Sequence, residues 1–205
     1  MKLIIEQEKF KFNYQYKIFD DNELVYIGRA NRTVIPQPRK ISLCDLNNNE
    51  LDIILKEENI IKFIISYIPI LGWFNFSVCP YNLYVNGMKQ GFLSKVVQRK
   101  NTHPSIIGEI KGHNISIYEH TGDLYTIFKD NLQQGLIKRE HWKQGDGDRY
   151  IILYNREFGT ELAALIGILV DIIWGTTDTS IKFLRYEYTW VLGEEKSDNH
   201  WEPKD

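Results

Sequence analysis

The chain's 205 residues suit one generous domain or two small ones, and its 43% hydrophobic and 13% aromatic content supplies a core, which excludes wholesale disorder and a disulfide-stapled mini-protein. With 25 Lys and Arg against 27 Asp and Glu the net charge is −2, which excludes a strongly basic nucleic-acid binder, so no nucleic-acid partner is expected. Met1–Glu6 holds only three consecutive apolar residues before a charged stretch, unlike a secretory signal, and the expected setting is the cytoplasm, at most peripheral to a membrane. Cys44 and Cys79 have no CxxC spacing and read as buried free thiols.

In chain order, Phe10, Phe12, Tyr14, Tyr16 and Ile18 alternate with polar residues from Lys9 to Phe19, the period of a half-buried strand. Asp20–Glu23 is a polar turn and Leu24–Arg29 its return strand. Ile41–Asp45 and Leu51–Lys56 flank Asn47–Asn49, whose asparagines tolerate positive φ. Ile60–Leu71 is too β-branched for a comfortable helix and reads as a long strand continued by Trp73–Cys79. Tyr81–Val85 and Phe92–Gln98 bracket Asn86-Gly87, the strongest hairpin signal in the chain. Further strands are expected at Ile106–Lys111, Asn114–Glu119, Leu124–Lys129, Gly135–Trp142, Arg149–Tyr154 and Ile181–Leu192.

Leu162–Trp174 is apolar apart from Asp171 and reads as a helix, with Thr160 as N-cap and Gly175 as its terminator. Thirteen helical residues rise ~20 Å, short of the ~30 Å bilayer core, so no transmembrane span is expected. A helix apolar all round must be surrounded, and in a chain of antiparallel strands the economical solution is a barrel wrapped about it. The expected fold is therefore mainly β: a closed antiparallel barrel of about twelve strands around a central hydrophobic helix, Leu162–Trp174, with Ala163, Ala164 and Gly167 allowing close approach. One domain is expected over residues 1–192, followed by a mobile charged tail over 193–205.

Tyr26-Ile27-Gly28, Ile41–Asp45 with Asn49-Glu50-Leu51, Gly147-Asp148-Arg149-Tyr150 and the helix Ala163–Asp171 together resemble the tubby C-terminal-like superfamily over residues 9 to 192. More narrowly, the chain is similar to the bacterial and plant branch that holds the LURP-one-related proteins, with the phospholipid scramblases as cousins. The resemblance implies a twelve-strand barrel around a helix, no shared enzymatic activity and an anionic phospholipid as ligand class; Trp73–Gly91 departs from the shortest members.

Candidate site residues fall in two basic clusters: Lys89, Lys95, Arg99 and Lys100, and Lys138, Arg139, His141 and Lys143 beside Trp142. Converging on one face, they could hold a phosphoinositide head group or an anionic bilayer surface, with Trp142 at the interface, whereas Glu109 and Glu140 could neutralise them as an ordinary solvated face. Asp171 is expected to be a structural buried acid that accepts hydrogen bonds from backbone or an arginine. Gly145–Asp148 lacks the ligand order of an EF-hand, and the five histidines lack zinc spacing, so no metal is expected. No nucleophile elbow, P-loop or dinucleotide fingerprint is present, and neither catalytic residues nor a cofactor are expected. The reading is a non-enzymatic binding module; the alternatives are a protein-interaction scaffold using Trp73, Phe74, Phe76, Trp190 and Trp201, and a scramblase-like membrane protein.

Overall fold

The computed structural model describes residues 1–9, 13–31, 40–56, 80–97, 104–120, 123–141, 147–175, 198 and 201–204. Alternating sequence becomes alternating burial. In β1 (Lys2–Lys9) Leu3, Ile5 and Gln7 face inward, and in β2 (Asn13–Asp20) Tyr14, Tyr16 and Ile18 do. The strands continue as β3 (Glu23–Asn31), β4 (Lys40–Cys44), β5 (Glu50–Lys56), β6 (Tyr81–Val85), β7 (Met88–Val97) and β8 (Pro104–Ile110). They end with β9 (His113–His120), β10 (Leu124–Lys129), β11 (Leu132–His141) and β12 (Asp148–Tyr154). Each strand pairs antiparallel with its neighbour in sequence, and β1 pairs with β12, so the sheet closes into the expected barrel. The strand β1 lies outside the strands expected from the sequence, because outward Ile4 and inward Gln7 hide its alternation. The expected strands at Ile60–Leu71, Trp73–Cys79 and Ile181–Leu192 lie outside the described residues, as does Cys79, while Cys44 is a buried free thiol.

The two ends of the barrel are built differently. At one, here the turn end, the two-residue turns Asp21-Asn22, Asn86-Gly87, Lys111-Gly112 and Asp130-Asn131 each place both residues at positive φ, the type I′ geometry that matches strand twist. At the other, the far end, the connections run over 10–12, 32–39, 57–80, 98–103, 121–123 and 142–147 and, apart from Pro80, Asp123 and Gly147, lie outside the described residues.

From β12 the chain makes one 3-10 turn, Arg156–Phe158, and enters α1 (Thr160–Val170) at the turn end. Gly159, at φ 87°, takes the N-cap place expected for Thr160, because the chain needs positive φ to swing into the barrel; the Thr160 hydroxyl instead bonds that of Tyr154 at 3.0 Å. The helix runs inside the barrel towards the far end and finishes in a π-helical turn, Asp171–Gly175. Every residue from Ala163 to Trp174 is buried. It packs closest on β1, β4 and β12. A Cβ on Gly167 would stand 2.4 Å from Cδ1 of Ile152 and 2.6 Å from Cδ1 of Ile5, so this glycine sets how near the helix comes to the closing strand pair.

In the stretch 193–205, expected to be mobile, Asp198 and Trp201–Lys204 are seated on the barrel. The Gln133 amide accepts from the Asp198 N–H at 3.0 Å and donates to its carbonyl at 3.2 Å, while Asn155 accepts from the Lys204 N–H at 2.7 Å. Trp201, expected as an exposed contact residue, is 9% exposed because it packs into this groove.

Candidate functional site

Asp171 opens the π-helical turn and is fully buried towards the far end. A carboxylate at a helix C-terminus opposes the helix dipole and loses its water on burial, so it needs donors. Its Oδ1 accepts from the Tyr150 hydroxyl at 2.5 Å; its Oδ2 accepts from the Tyr16 hydroxyl at 2.6 Å and from Gln7 Nε2 at 2.5 Å. The donors are thus two tyrosines and a glutamine, not the backbone or arginine expected. Burial pushes the Asp171 carboxyl above the ordinary aspartate range, against the hydrogen bonds of Tyr150 and Tyr16. The same burial, with the nearby carboxylate, raises both tyrosine hydroxyls, which stay protonated as donors.

The cluster continues outward along the β1–β12 seam. Gln7 Oε1 accepts from the Asp148 N–H at 3.3 Å, and the Asp148 carboxylate accepts from Arg139 Nη2 at 2.6 Å. Gly147 precedes them because a Cβ there would lie 1.8 Å from the Gln7 carbonyl oxygen. Chemically this network ties the helix to β1, β2 and β12, the strands at and beside the point of closure.

The basic candidates do not form one face. Residues on a strand alternate sides, so Lys138 is exposed on the outer wall, 3.3 Å from Glu140, while its neighbour Arg139 turns inward opposite Tyr150 with 10% of its side chain exposed. Lys95 also turns inward, two residues beyond buried Leu93 and opposite buried Ile106, and burial lowers its pKa against the pull of Glu119. Lys89 is exposed at the start of β7. The strands β7 and β11 stand four steps apart around the wall, ~19 Å at ~4.8 Å per step. Arg99, Lys100, Trp142 and Lys143 lie outside the described residues, as does the His141 side chain. Sequence reasoning missed Gln7, Tyr16 and Tyr150 as the partners of Asp171; the one available signal was a glutamine in an inward register beside Leu3 and Ile5.

Among the described residues no group of three or more His, Cys, Asp or Glu side chains could hold a metal ion, and no helix is long and apolar enough to cross a membrane. No family model, curated protein or solved structure matches this chain.

Proposed function

We propose that the chain is a non-enzymatic, tubby-like binding module that docks the far end of its barrel onto an anionic phospholipid surface. The observation that carries this reading is the asymmetry between the barrel's ends. The far-end connections hold seven basic residues, Lys11, Arg32, Arg39, Lys62, Arg99, Lys100 and Lys143, against four acidic ones, Glu57, Glu58, Asp123 and Asp146. They also hold Phe10, Phe12, Trp73, Phe74, Phe76 and Trp142. The opposite connections hold Asp21, Asp45, Asp130 and Glu157 against Lys111 and Arg156. Basic residues interleaved with aromatics at one end suit an anionic interface, where each basic residue near the surface contributes ~1 kcal/mol. The strands leading into Arg99-Lys100 and into Trp142-Lys143 both finish at this end, although Lys95 and Arg139 point into the barrel. The resemblance to the tubby superfamily agrees with a closed twelve-strand barrel around one helix. Enclosure of Ala163–Trp174 argues against insertion of that helix into a bilayer.

Co-flotation with phosphatidylcholine vesicles, with and without phosphatidylserine, tests the reading. Binding is expected only to the anionic vesicles and is weakened at physiological salt. Combining Arg99→Glu, Lys100→Glu and Lys143→Glu should lower affinity by at least a hundredfold, from ~1 kcal/mol per basic group. Lys111→Glu with Lys129→Glu, at the turn end, should leave it nearly unchanged. Equal binding to neutral vesicles, or equal effects of the two variant sets, would overturn the proposal.

A further inference from the structure

Because the helix leans on β1, β4 and β12, it leaves room on its other side. There, between the first turns of α1 and strands β5, β6, β8 and β9, a cavity of about 450 Å³ opens at the turn end. That volume lies in the range of small-molecule sites. Its lining is mixed: Leu83, Ile110 and Ile115 from the strands and Leu162 and Leu165 from the helix supply apolar wall, and charged and polar side chains supply the rest. Of the carboxylates that line it, Asp52 on β5 is the buried one: it shares the inward register of Ile54 and is only 8% exposed. The other aspartates turned inward, Asp148 and Asp171, are bonded by Arg139 and by three donors respectively. Asp52 has no hydrogen bond or ion pair among the described residues.

The surrounding charges favour a cation there. Three carboxylates, Asp52, Glu157 and Glu161, line the cavity against two ammonium groups, Lys111 and Lys129. His113 is held by Asp130 at 2.6 Å, and Glu161 accepts from the Tyr26 hydroxyl at 3.3 Å. Burial, and then the Glu161 charge, raise the Asp52 carboxyl, with Lys111 pulling the other way. A chamber with an apolar wall beside one unpaired inward carboxylate, and an excess of carboxylates over ammonium groups around it, suits an apolar body bearing a positive head.

We infer that this cavity is a binding site for a small organic ammonium ion, with its ammonium group on Asp52 and its apolar chain along Leu83, Ile115 and Leu165. The site lies at the end of the barrel opposite the proposed lipid surface and does not depend on it.

Isothermal titration of the full chain, without vesicles, with n-hexylammonium, hexan-1-ol and hexanoate tests this. The ammonium ion should bind at least tenfold more tightly than the alcohol, and hexanoate least. Asp52→Asn should erase the advantage of ammonium over alcohol while keeping alcohol binding, which shows that the cavity is intact. In the unaltered chain, the Asp52 carboxyl carbon followed by NMR should titrate at lower pH when hexylammonium is bound. Tighter binding of hexanoate, equal ammonium affinity in Asp52→Asn, or no binding of any of the three would overturn the assignment.

Discussion

Gly167 offers the sharpest test of how tightly the helix is enclosed. Apolar carbons meet at ~3.5–4.0 Å, yet a Cβ at this position would stand 2.4 and 2.6 Å from the δ-methyls of Ile152 and Ile5, both fully buried. Each methyl must retreat by ~1 Å or more into a packed interior. Gly167→Ala gains ~1 kcal/mol of helix propensity and loses ~1–3 kcal/mol to overpacking, so a net loss of ~1 kcal/mol is expected. Gly167→Leu drives three further carbons into the same space and should cost ~3 kcal/mol, a fall in Tm of ~6–12 °C for a domain of this size. Ile5→Val and Ile152→Val remove the two atoms that the new Cβ meets. Alone each should cost ~0.5–1.5 kcal/mol, but beside Gly167→Ala they should cost less, with a coupling of at least ~0.5 kcal/mol. Urea and thermal unfolding followed by circular dichroism would read these differences. A Gly167→Leu protein melting at the unaltered temperature, or strictly additive effects, would refute close enclosure of the helix.

Two further outcomes are expected from the polar seam. The Asp171 carboxyl is raised in the folded state, so the folded chain binds a proton that the unfolded chain has released; stability from this group therefore falls as pH rises above ~3.9 towards the folded pKa. Asp171→Asn should flatten that part of the stability profile, and an identical slope in both proteins would contradict the account. Arg139→Leu removes the guanidinium 2.6 Å from the Asp148 carboxylate, itself 10% exposed, and should cost ~3–5 kcal/mol, or ~6–20 °C in Tm. Unchanged melting with weakened vesicle binding would instead mean that the guanidinium serves the surface.

The barrel was legible wherever polarity and chain geometry agreed. Tyr14, Tyr16 and Ile18 alternate with polar residues and face inward, Asn86-Gly87 forms a tight turn, and the featureless apolar stretch after Thr160 lies inside the sheet. Where polar residues face inward the pattern breaks: Gln7 hides β1, and Asp52 resembles any solvated strand residue until Ile54 is known to point in. Alternation alone separates adjacent Lys138 and Arg139 onto opposite faces, so grouping them by nearness in sequence was misleading. The partners of Asp171 come from β1, β2 and β12, and only closure of the barrel brings these strands around the end of the helix.

End-on docking is tested most directly by an environment-sensitive label at either end of the barrel. In a Cys44→Ala, Cys79→Ser background, an NBD group would be attached at Thr102→Cys, between β7 and β8 at the far end, or at Met88→Cys, exposed at the turn end. On adding vesicles containing phosphatidylserine, the far-end label should shift to the blue and brighten, while the turn-end label should keep its aqueous spectrum. A response at Met88→Cys alone, or at neither position, would contradict the account.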